Sequence, residues 1–129
     1  MENSYENFGQ FLSEKRREKD ITLRELARQL SVSAAFLSDV EKNRCAPLTT
    51  ERLEKVSEIL NFSKDEKNEM YDLVGKQKDT AAPDLPEYIK GKDYISMALR
   101  TARELEAGEK EWLEFVEELK RKKGTDAND

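Results

Sequence analysis

Apolar residues return every three or four positions along most of this chain, and no stretch alternates strictly. That period predicts helices and no strands. A first helix is expected over about 6–19, with Phe8, Phe11, Leu12 and the stem of Lys15 or Arg16 on one side. Thr22 opens a second, and the spacing of Thr22 and Glu25 predicts a capping box, with Leu23, Leu26, Ala27 and Leu30 facing inward. After the break at Ser31 and Val32, Ser33 caps a third helix that buries Leu37 and Val40. Residues 43–47 read as a loop, because Asn43 tolerates positive φ and Pro47 resists helix continuation. A fourth helix from near Thr50 carries Leu53, Val56, Ile59 and Leu60. Ser63 and Glu66 form a second capping box, opening a fifth helix through Met70, Leu73 and Val74 that is expected to stop at Gly75.

The pattern then changes. Residues 77–84, with Thr80, Ala81, Ala82 and Pro83, read as an exposed linker between a domain at 6–76 and a smaller helical unit at 85–124. In that unit Leu85, Tyr88 and Ile89 suggest one short turn of helix. Ile95, Ala98, Leu99, Ala102 and Leu105 mark a helix ended by Gly108, and Trp112, Phe115, Val116 and Leu119 mark another ended by Gly124, before a frayed tail at 125–129. Two such helices bury little between themselves, so their stripes need cover from the first five helices or from a second copy of the chain.

Composition narrows the function. The chain has 129 residues, 40% charged and 36% hydrophobic, and a net charge of -5. That sign argues against a nucleic-acid partner, yet residues 15–55 hold ten basic residues against seven acidic ones. With no His and one Cys, a Cys/His zinc site, a His-dependent triad and an internal disulfide are all excluded. No phosphate-binding glycine loop is present, and Glu117 and Glu118 read as solvated helix surface, so no catalytic residue, metal or cofactor is expected. Cys45 reads as an incidental loop cysteine. No stretch resembles a signal peptide or membrane span, which predicts a cytoplasmic protein.

The specific pattern lies between Leu23 and Lys42: two short helices, a tight turn, and small Ala27 where the helices cross. The chain from Phe8 to Val74 resembles the XRE family of Cro/C1-type helix-turn-helix regulators. The matching residues are Leu26 and Ala27, then Val32, then Leu37, Ser38, Asp39, Val40 and Glu41, followed by Lys42, Asn43, Arg44 and Pro47. Ser31 and Asn43 stand where the family usually has glycine. The resemblance implies an all-α chain with a five-helix, lambda-repressor-like DNA-binding domain followed by a helical dimerisation unit. It implies a dimeric repressor that reads double-stranded DNA in the major groove with residues 33–41. Ser33, Ala34, Ala35, Ser38 and Asp39 would face bases. Thr22, Leu23 and Arg24, at the start of the second helix, would hold phosphate with Lys42, Asn43 and Arg44, while Arg16 and Glu41 would form a structural ion pair.

This recognition segment has no Gln, Asn or Arg in its first turn. Ala34, Ala35 and Phe36 offer apolar contacts to thymine methyl groups instead, and Asp39 an acceptor for cytosine N4, while Phe36 reads equally as core. The C-terminal unit resembles the appendage of ImmR/DdrO-type repressors from bacteria and mobile elements, which implies a regulatory metallopeptidase as partner. The alternatives are an antitoxin that covers a protein toxin and regulates its own operon, and a pure protein-interaction domain.

Overall fold

The computed structural model describes residues 5–124, and the tail expected at 125–129 lies outside them. Among the described residues there are eight helices and no strand: α1 (Phe8–Glu18), α2 (Leu23–Leu30), α3 (Ala34–Glu41), α4 (Thr50–Ile59), α5 (Lys64–Lys78), α6 (Leu85–Ile89), α7 (Asp93–Glu104) and α8 (Glu109–Lys123). The chain divides into two compact units between Tyr88 and Ile89.

Each of the first five helices starts at a side chain that accepts a backbone N–H, satisfying one of the orphan donors of the first turn. Asn7, Thr22, Ser33, Thr49 and Ser63 do this for α1 to α5 in turn. The reciprocal bond of a capping box forms at Ser63, whose N–H donates to Glu66 at 2.8 Å. At Thr22 the expected box is half made: the Thr22 hydroxyl accepts from Glu25 N–H at 3.1 Å, but the Glu25 carboxylate turns forward to Arg28 and Gln29.

The core of the first unit gathers Phe8, Phe11 and Leu12 from α1, Leu26, Ala27 and Leu30 from α2, and Leu37 and Val40 from α3. Leu53, Val56 and Leu60 join from α4 and its cap, and Met70, Tyr71, Leu73 and Val74 from α5. Leu23 and Ile59, expected inside, are half-buried at its edge. Leu48 is buried from the loop before α4, where helical periodicity has no purchase.

Gly75 does not end α5. The helix continues to Lys78 and closes at Asp79, which is left-handed at φ 58°. A Cβ on Gly75 would lie 3.0 Å from the backbone of Ala82 and of Thr80, so glycine is needed there because the chain folds back against it. Residues 82–84 are accordingly half-buried, where an exposed linker was expected.

In the second unit α7 closes at Glu106, left-handed at φ 57°, not at Gly108. Gly108 is extended and caps α8, donating its N–H to Glu111 at 2.6 Å. None of the described residues of this unit is buried.

Candidate nucleic-acid interface

Two short polar-capped helices present the candidate surface. The turn between α2 and α3 closes when Val32 N–H reaches back to Ala27 O at 3.0 Å, with Ser31 left-handed at φ 59°. Val32 and Leu37 follow in the core or against it, so α3 leaves the turn with Leu37 and Val40 inward. Its outer side carries Ser33 and Ala35, both exposed, with Ser38 and Asp39 partly so.

The far end of α3 is held by three independent contacts. Arg16 of α1 grips Glu41 with both forks, at 2.7 and 3.0 Å, and donates a third bond to Ile21 O at 2.9 Å. Both side chains are nearly inaccessible, and the Glu41 contact holds the Arg16 guanidinium above its ordinary pKa against the opposing pull of burial. Planar, bidentate pairing of this kind fixes orientation as well as charge. Beside it, α1 passes so close that a Cβ on Gly9 would sit 2.6 Å from the carbonyls of Val40 and Glu41. Finally, Asn43 turns left-handed at φ 60°, and Arg44 N–H returns to Asp39 O at 2.9 Å. That closure places Lys42, Asn43 and Arg44 in the solvent just past the helix.

The expected site residues do not all share one exposure. Ala34 turns toward α2, lining a shallow groove with Thr22, Arg24, Ala27 and Val32. Phe36 is half-buried, packs on the core, and lies beneath the Arg52 guanidinium at 5.9 Å. Leu23 also packs on the core, leaving Thr22 and Arg24 as the exposed residues at the start of α2. The hydroxyl oxygens of Thr22 and Ser33 are engaged as caps, and each hydroxyl keeps its proton to donate.

Acidic groups on this side are matched by cations: Glu25 meets Arg28, Asp39 lies 3.7 Å from Arg44, and Glu41 holds Arg16. Among the described residues no carboxylate lies at ion-pair distance from Arg24, Lys42 or Arg52. A chain of net charge -5 thus still offers uncompensated cations around α3.

Sequence reasoning passed over Gly9 and Arg52. Gly9 sits within an apolar run where nothing signals the approach of α3. Arg52 was one of ten basic residues, and its neighbour Phe36 is sixteen positions away across a loop.

The family comparison agrees with this geometry. Residues 12–67 match the model of the helix-turn-helix family. This segment is an XRE-type helix-turn-helix domain. The match spans α2, α3 and α4 entirely, with the adjoining parts of α1 and α5, so the XRE-type domain contains both motif helices and the Arg16–Glu41 pair. One similar solved structure, titled as a SinR protein/SinI protein complex, shares 25% identity, with 91% of this chain and 98% of that chain covered and a TM-score of 0.44. No curated protein matches the sequence.

Proposed function

We propose that the chain is a dimeric repressor that lays residues 33–41 in the major groove of double-stranded DNA. The observation that carries this reading is the mounting of α3. It is pinned at its C-terminal end by Gly9 and the Arg16–Glu41 fork, while Ser33, Ala35, Ser38 and Asp39 are left toward solvent between uncompensated cations. A helix held this rigidly at one flank can carry sequence preference, because base contacts demand fixed geometry. Thr22, Arg24, Lys42, Asn43 and Arg44 take the sugar-phosphate rails, and Ser33, Ala35, Ser38 and Asp39 take the base edges. Ala34 and Phe36, turned toward the protein, support the reading helix from behind. Such a chain works where the DNA is, in the cytoplasm.

A second copy is the partner that best suits the C-terminal unit. Tyr94, Met97, Leu99, Leu105, Trp112, Leu113, Phe115, Val116 and Leu119 are all exposed there. In α8 the first ten residues carry Glu109, Glu111, Glu114, Glu117 and Glu118 against one cation, Lys110, and the last turn carries Lys120, Arg121, Lys122 and Lys123. Two such helices side by side and antiparallel would set each acidic stretch against a basic end. Dimerisation then places two copies of α3 on half-sites about one helical turn apart.

Duplexes selected by the chain from a randomised pool test this reading. Footprinting should return two related half-sites with centres about 34–36 Å apart, protected in the major groove. A single asymmetric site, or protection confined to the minor groove, would overturn it.

A further inference from the structure

Arg52 occupies a position that helix electrostatics disfavours. It is the third residue of α4, its N–H bonded to the Thr49 hydroxyl at 3.3 Å. An arginine there brings positive charge to the positive end of the helix dipole. The corresponding residues of α2, α5 and α8 are Glu25, Glu66 and Glu111, and a Glu at this position in α4 would complete a capping box with Thr49. The guanidinium lies over the ring of Phe36, on α3, and no carboxylate among the described residues pairs with it. Phe36 is anchored from below by the core.

We infer that Phe36 and Arg52 form one device: the ring is a platform that holds Arg52 beside the reading helix as a phosphate clamp. Phe36 acts on DNA through Arg52 and touches no base. A guanidinium resting on an aromatic face keeps its edge N–H groups free, and a backbone phosphate is the ligand that such an unpaired, planar, five-donor cation fits. The cation–ring contact restricts a long, flexible side chain before DNA arrives, so less freedom is lost on binding. A locally unfavourable residue with a defined perch, next to the element that enters the groove, fits selection by binding and not by folding.

The inference rests on α3 lying in the groove, and its test separates the two. Full-length chain and variants are titrated with the selected duplex, and with a scrambled duplex, over a range of salt concentrations. Arg52→Ala should weaken binding to both duplexes by about tenfold and lower the slope of log affinity against log salt by about one. Phe36→Leu, which keeps an apolar side chain on the core, should give a smaller loss of the same kind. In the Arg52→Ala background, Phe36→Leu should then cost nothing further. Arg52→Lys, which keeps the charge without the planar five-donor guanidinium, should fall between wild type and Arg52→Ala. Thermal unfolding of each variant excludes loss of fold as the cause. An unchanged salt slope in Arg52→Ala overturns the inference, as does a Phe36→Leu protein that changes preference at one base pair. Lys42→Ala serves as control: if it loses affinity while Arg52→Ala does not, only the clamp fails. If neither changes binding, the placement of α3 fails as well.

Discussion

Six described residues other than glycine hold a left-handed backbone: Asp20, Ser31, Asn43, Asn61, Asp79 and Glu106. Asn and Asp reach that region with help from their short polar side chains, whereas Ser31 and Glu106 bear the ordinary penalty of a Cβ crowding the carbonyl. Ser31→Gly should therefore raise stability by about 0.5–1 kcal/mol, relief of strain partly offset by greater freedom of the unfolded chain. Chemical denaturation measures it, and an unchanged or lowered midpoint would show that Ser31 is not strained. Ser31 and Asn43 were legible in the sequence, since they stand where the resemblance puts glycine, whereas Asp79 and Glu106 take closures that were expected at Gly75 and Gly108. Exposure on the reading helix was less so. Ala34 and Ala35 are chemically identical neighbours, and only the crossing of α2 decides that the first turns inward while the second meets solvent.

Between elements, the first unit is tied at two polar crossings that periodicity does not disclose. Lys15 of α1 donates to Glu66 of α5 at 2.9 Å, and Glu54 of α4 accepts from both Lys67 and Tyr71 of α5. The Tyr71 hydroxyl, with Lys67, holds the Glu54 carboxyl below its ordinary pKa against the effect of burial. Burial pushes Glu66 upward, but Ser63 N–H and Lys15 outweigh it and the net shift is again downward. Both carboxyls bind a proton less readily folded than unfolded, so their contribution is complete above the unfolded value of about 4.3 and is lost as acidification passes below it. Urea midpoints compared at neutral pH and near pH 3.5 should show this loss, and Glu66→Gln should show less of it. The helices themselves were legible because caps and apolar stripes are local. The crossings were not, as with Gly9, whose reason is the backbone of α3 more than thirty residues away. Gly9→Ala should cost about 1–3 kcal/mol, since neither carbonyl can yield like a flexible side chain, and should weaken binding to selected DNA by shifting α3. Unaltered affinity with lowered stability would separate the fold from the interface.

At the scale of the molecule, charge is laid out by segment. The acidic average of the chain conceals a reading helix whose own carboxylates, Asp39 and Glu41, are paired, and a last helix whose acidic stretch gives way to a basic last turn. That split also suits the helix's own dipole, so the two explanations need an experiment. One variant changes Lys120, Arg121, Lys122 and Lys123 to Glu, and another changes Glu114, Glu117 and Glu118 to Lys. If the charges pair between copies, each variant alone should sediment as a monomer at low salt and their mixture as a dimer. A dipole role alone predicts lower helicity in each and no rescue on mixing.

Among its described residues the second unit has none that is buried, so its order depends on what covers it. When that cover is an identical chain, folding of the unit becomes a second-order event. Occupancy of a two-half-site operator would then climb with the square of protein level while monomers predominate. A gene under such control would respond to a twofold change in regulator dosage as though to a fourfold one, and would be sharply released when the cell dilutes the protein by growth.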